Sequence, residues 1–174
     1  MKGSPQPEED READPESVAR SILLRQLTLG PRSRHQLAAK LRDRNVPEEV
    51  AESVLERFED VGLIDDGAFA AMWVRSRSTS KSLSKGALRR ELATKGISGQ
   101  TAEDAIAELS DEDEEEAARR LIERRVRTAP LGDPAARDRE LRRLVGMLAR
   151  KGHPPGRAFR IASSVIGEQA GAEG

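Results

Sequence analysis

The sequence predicts an all-α protein: three tandem three-helix repeats forming an elongated, curved array. Three observations lead there. Helix start and stop signals recur along most of the chain, and apolar residues between them follow helical spacing. The middle helices of the three repeats also superpose without gaps. Leu37, Leu41, Asn45 and Val46 fall on Leu88, Leu92, Gly96 and Ile97 at an offset of 51, and on Leu144, Leu148, Gly152 and His153 at a further 56. Asn, Gly and Gly at the shared stop enter the left-handed helix-ending conformation most cheaply. Arg44, Lys95 and Lys151 precede them, where a cation suits the helix dipole. Units of about 50 residues bury little surface alone, so each is expected to lean on its neighbour.

Residues 1–14 hold Pro5, Pro7 and a Glu8-Glu9-Asp10 run with almost no apolar side chain, and are expected to be a disordered acidic tail. The first repeat spans 15–62. Asp14-Pro15 supplies an N-cap and a first-turn proline for a helix with Val18, Ile22 and Leu27, which Gly30-Pro31 stops. Ser33 with Gln36 has capping-box spacing and opens the Leu37/Leu41 helix. Pro47 fits the first turn of a third helix with Val50, Val54, Phe58 and Val61, closed by Gly62.

In the second repeat, 63–109, Asp65 is the expected structural cap of a helix with Phe69 and Trp73. Ser84 opens the next, with Leu88 and Leu92, and Ser98 opens the last, with Ala102, Ala105, Ile106 and Leu109. The third repeat, 110–167, begins at Ser110, where Asp111 to Glu116 complement the positive helix end ahead of Ala118, Leu121, Ile122 and Val126. Asp133-Pro134 begins a helix with Leu141, Leu144 and Leu148, and Pro155 one with Phe159, Ala162, Val165 and Ile166. Residues 168–174 are expected to be a disordered C-terminus.

The 174 residues include 30 Lys plus Arg and 31 Asp plus Glu, for a formal charge of −1. That balance excludes a uniformly basic nucleic-acid binder. Phe58, Phe69, Trp73 and Phe159 are the only aromatics, which argues against base stacking on an aromatic platform. Without Cys there are no disulfides, thiolate metal sites or cysteine nucleophile. No apolar run approaches the roughly 20 residues of a membrane span, and Met1-Lys2-Gly3-Ser4-Pro5 does not look like a signal peptide. A soluble, cytoplasmic protein is the expectation.

His35 and His153 lack second ligands at metal spacing and are expected at the surface or filling loops. Phosphate-binding, nucleophile-elbow and dinucleotide motifs are absent, so neither enzymatic activity nor a cofactor or metal is expected. For the acidic run Asp111–Glu116, capping and dipole pairing is a better account than a cation site.

Charge is instead segregated along the chain. From Trp73 to Ile97, Arg75, Arg77, Lys81, Lys85, Arg89, Arg90 and Lys95 face one acid, Glu91. Residues 102–117 hold nine acids and no base, and 118–160 hold thirteen bases and four acids. At 100° per residue, Arg139, Arg142, Arg143 and Arg150 fall within about 60° of one direction, opposite Leu141, Leu144, Val145 and Leu148. These two groups of basic residues are the candidate contacts for an anionic partner. The stretch Ser76 to Ser84, with Arg77 and Lys81 interleaved, reads equally as a flexible loop or as a loop that contacts phosphates or acids.

The segment Gly62-Leu63-Ile64-Asp65-Asp66-Gly67-Ala68-Phe69-Ala70, then Arg75-Ser76-Arg77, Lys85-Gly86 and Leu88-Arg89-Arg90-Glu91-Leu92-Ala93-Thr94-Lys95-Gly96-Ile97, resembles the signature of the bacterial RecX regulators. The resemblance runs from about Val18 to Ile166. It implies three tandem three-helix repeats, in agreement with the helix signals. It also implies binding along the groove of the RecA nucleoprotein filament, with inhibition of ATPase, strand exchange and coprotease activity in recombination and the SOS response. The partner would then be the RecA filament, with DNA phosphates inside it as further contacts and no membrane. The alternative is a helical protein that binds DNA directly and without sequence preference, since basic trihelical units can act as helix-turn-helix modules. The lack of Asn or Gln on the Arg139–Arg150 face argues against base readout in that case.

Overall fold

The computed structural model describes residues 14–126 and 131–172. Within them every regular element is an α-helix, and no strand occurs. The chain divides after Asp66 into two compact units.

The first unit holds α1 (Pro15–Leu29), α2 (Arg34–Asp43) and α3 (Glu48–Asp60). Asp14 caps α1 by accepting from the Ser17 amide, with Pro15 in the first turn. At α2 the capping box forms in full: Ser33 Oγ accepts from the Gln36 amide, and Gln36 Oε1 accepts from the Ser33 amide at 3.1 Å. Pro47 occupies the N-cap of α3, one residue ahead of its expected place. Ala19, Leu23, Leu37, Leu41, Val54, Leu55, Phe58 and Ile64 form the core. In α1 the buried residues are Ala19 and Leu23, while the expected Ile22 and Leu27 pack at the edge, because apolar residues lie on several sides of this helix and its preferred face is ambiguous.

The second unit contains two cores. Phe69, Ala70, Val74, Leu88, Leu92, Ile97, Ala102, Ala105, Ile106 and Leu109 join α4 (Asp66–Lys81), α5 (Lys85–Thr94) and α6 (Gly99–Ala107). Ala118, Leu121, Ile122, Leu144, Leu148, Ile161, Ala162 and Val165 join α7 (Asp111–Val126), α8 (Pro134–Arg150) and α9 (Pro155–Ala172). Each repeat thus closes its own apolar centre. Phe159, expected among the core residues, stands 55% exposed.

The three middle helices end in the same way. Asn45, Gly96 and Gly152 have φ of 57°, 75° and 87°. The amides of Val46, Ile97 and His153 then donate back to the carbonyls of Leu41, Leu92 and Leu148 at 3.0–3.1 Å, the six-to-one bond of a Schellman stop.

Two expectations change. Ser76–Ser84 is mostly not a loop, because α4 runs to Lys81 and leaves only 82–84 between helices. Ser78 and Ser80 bond the carbonyls of Arg75 and Ser76 on their own helix, so their hydroxyls do not pull the backbone out of it. At the other end α9 passes the expected limit at 167 and continues to Ala172, where Glu168 pairs with Arg119 of α7. The tail 1–13, the linker residues 127–130 and residues 173–174 lie outside the described residues. No described helix is long and apolar enough to cross a membrane.

Candidate interaction surfaces

The central basic group sits on α4, α5 and the turn after α5, and folding brings acids to much of it. Arg89 makes a two-point bond to Glu103 of α6 at 2.6 and 2.8 Å. That contact raises the Arg89 pKa and holds the Glu103 carboxyl below its usual range. Arg75 meets Glu108 at 3.3 Å, Arg77 meets Glu91 at 3.3 Å, and Lys85 meets Asp111 at 2.6 Å. Arg77 and Lys95 lie over the Trp73 ring, 4.4 and 4.8 Å from its centroid, while the indole Nε1 donates to Glu91 at 2.8 Å. These two cations and Glu91 therefore clasp one aromatic ring. Lys81 and Arg90 are exposed and make no ion pair with another described residue.

The Lys85 ammonium beside Asp111 holds that carboxyl below its usual range. A carboxyl whose folded-state value is depressed adds stability above the unfolded value, and that stability is lost as pH falls through the folded value. The native chain should therefore lose its advantage over Asp111→Asn as pH drops through this range. The urea midpoint read from Trp73 fluorescence checks this; a difference that stays constant with pH would contradict it.

On α8 the expected segregation is present. Leu144 and Leu148 are fully buried, while Arg139, Arg142, Arg143 and Arg150 are exposed. Arg143 is held by Glu140 of its own helix, at 2.9 and 2.5 Å, which raises its pKa. Arg139, Arg142 and Arg150 make no ion pair with another described residue.

The second and third repeats are joined by residues that the sequence marks for other roles. Glu114 is 4% exposed; its carboxylate accepts from the Lys85 amide at 2.9 Å and from Arg157 Nη1 of α9 at 2.6 Å. His153, expected at the surface or filling a loop, is 2% exposed and its Nε2 donates to the Ser82 carbonyl at 2.9 Å. Lys151 Nζ donates to the Lys81 carbonyl at 2.6 Å, and the Lys151 carbonyl accepts from the Ser84 amide at 3.1 Å. Burial, and then the nearby charges of Lys81 and Arg125, lower the Lys151 pKa.

Signals for two of these residues were present. Glu114 lies four residues before Ala118, on the apolar stripe of α7. His153 superposes on Ile97, itself a buried position.

Asp65 stands immediately before α4, and Asp66 accepts from the Arg34 amide at 2.8 Å. Burial raises the Asp66 pKa against that bond. Arg34 and Lys85, 51 residues apart, are thus both first residues of a middle helix whose amide is bonded by a later carboxylate. The acidic run at 111–116 is used for capping, in which Ser110 Oγ accepts from the Asp113 amide at 3.0 Å, and for pairing with Lys85, Arg157 and Arg160. Among the described residues no three His, Asp or Glu side chains come together to hold a metal ion.

Residues 19–58 match the family model described as RecX, first three-helix domain, and residues 65–106 match the RecX, second three-helix domain. A protein from Streptomyces coelicolor named regulatory protein RecX is 51% identical over 156 residues, covering 90% of this chain and 81% of the relative. One of the same name from Thermobifida fusca is 44% identical, with 90% and 80% covered. Among solved structures, a crystal structure of regulatory protein RecX aligns with a TM-score of 0.73 at 28% identity, covering 94% of this chain and 82% of that one. A crystal structure of RecX from Lactobacillus salivarius shares the fold, with a TM-score of 0.73 at 23% identity and 90% and 97% coverage.

Proposed function

The chain belongs to the RecX family of regulatory proteins, and on that premise we propose that it binds along the groove of the RecA nucleoprotein filament and inhibits RecA ATPase, strand exchange and coprotease activity in recombination and the SOS response. The observation that carries this is the outer face of α8. Three guanidinium groups there, Arg139, Arg142 and Arg150, stand exposed without an ion-pair partner among the described residues, on a helix whose other face is packed. Guanidinium forks suit carboxylates of a protein wall and phosphates of DNA alike. Several such contacts on one scaffold act at high effective concentration along a repeating filament. Lys81 and Arg90 extend the proposed contact surface on the second repeat.

Charge on the third helices weighs against direct DNA binding. In a helix-turn-helix module the second helix of the motif enters the major groove. Here α3 carries six acids and one base, and α6 carries Glu103 and Asp104. In α9, Arg157 and Arg160 are tied to Glu114 and Glu115.

Adding the protein to RecA filaments and following DNA-dependent ATPase, with its binding to free DNA measured in parallel as salt is varied, tests the proposal. Inhibition is expected at concentrations where free DNA is not bound. Tight, salt-sensitive binding to free DNA with no effect on RecA would overturn it.

A further inference from the structure

Within the first unit, charge is divided between helices. Arg34 pairs with Glu52 and Glu59 of α3, and both Arg57 and Arg20 pair with Glu16 at the start of α1. Arg25, Arg32 and Arg44 make no ion pair with another described residue, and all three line the groove between α1 and α2. One part of that groove, about 300 Å³, is bounded by Ile22, Arg25, Leu29 and Arg44. Gln26 joins it to a second part of about 420 Å³ that contains Arg32, His35 and Lys40. Asp43, 4.0 Å from Lys40, is the one carboxylate in either part. The Arg32 Nε is buried without a hydrogen-bond partner.

We propose that this groove docks an acidic peptide segment of a partner protein, with an apolar side chain between the acids. Arg25 and Arg44 flank Ile22 and Leu29, so carboxylates can be met on both sides of an inserted apolar group. Leu29 is 68% exposed, a placement that fits a covered apolar contact. A nucleic-acid strand fits less well, because His35 is the one ring lining the groove and no Phe, Tyr or Trp is there to stack bases. It uses none of the residues assigned to the filament, and its test needs no RecA.

The probe is a fluorescein-labelled peptide of about twelve residues, Asp and Glu around two Leu, titrated by anisotropy against the full chain. Its Leu→Ser counterpart and an oligo-dT strand serve as comparisons. The leucine peptide is expected to bind best, to lose about tenfold or more in affinity to the Arg25→Glu, Arg44→Glu variant, and to bind the Arg139→Glu, Arg142→Glu variant unchanged. Arg25 and Arg44 are exposed, and an unchanged thermal midpoint confirms that their variant is folded. Four results would overturn the proposal. The peptide fails to bind; it loses as much affinity to the α8 variant; oligo-dT takes the groove in its place; or neutralising Glu8, Glu9, Asp10 and Glu12 to their amides raises peptide affinity, giving the groove to the chain's own acidic segment.

Discussion

Replacing Glu114 with alanine is expected to destabilise the second unit by about 3 kcal/mol, the scale on which removing one member of a buried ion pair is felt. The carboxylate is nearly closed to solvent and accepts two bonds, from the Arg157 guanidinium and from the Lys85 amide at the start of α5. Its loss leaves a charge and a backbone donor without partners, and an unmet buried donor alone costs about 1–3 kcal/mol. Glu114→Gln keeps an acceptor for the amide but not the charge, and should fall between the two. Trp73, the only tryptophan, lies in this unit, so urea unfolding followed by its fluorescence reads the effect. A midpoint for Glu114→Ala within error of the native chain would mean that the carboxylate does not join the second and third repeats.

Gly152→Ala is the second large effect, from a different cause. The residue has φ of +87°, and a Cβ built there falls 2.5 Å from Ser84 Oγ, 2.8 Å from Ala87 Cβ and 3.0 Å from Arg90 Nη2. A left-handed alanine costs roughly 1–2 kcal/mol, and overpacking typically adds about 1–3 kcal/mol. Relief by moving Ser84 is itself costly, because its Oγ caps α5 through the Ala87 amide at 3.1 Å. Gly99→Ala separates the two causes: that glycine has φ of +61° with nothing within 4 Å of a built Cβ. It should show the backbone cost alone, so Gly152→Ala is expected to lose clearly more in the same urea experiment. Equal losses would show that α5 and the α8–α9 turn are free to part.

What the sequence made legible was local. Helix stops at Asn45, Gly96 and Gly152 depend on one residue's backbone freedom, and all three adopt the left-handed conformation. The Ser33 capping box depends on neighbours three residues apart. The serine run misled because Ser and Thr are read as helix breakers, whereas at 78 and 80 their hydroxyls bond the preceding turn.

The candidate surface was legible in part. Segregation of α8 into a packed and a charged face follows from helical periodicity alone. Charges counted along the chain, however, do not show which ones meet. Glu103 neutralises Arg89 from 14 residues away and Glu108 reaches Arg75 from 33, so part of the excess of positive charge on α4 and α5 is answered by α6 and its exit. The Arg143–Glu140 pair, three residues apart on one helix, was within reach of spacing rules. Glu114 and His153 needed the whole packing, because their partners belong to another repeat.

The most direct test of the proposed RecA contact is inhibition of RecA filament ATPase by the Arg139→Glu, Arg142→Glu variant. Both residues are exposed on α8 and make no ion pair with another described residue, so the urea midpoint should stay at the native value. Reversing two charges at a complementary surface is expected to raise the half-inhibitory concentration about tenfold or more. A folded variant that inhibits as well as the native chain would contradict the assignment of this face to the filament.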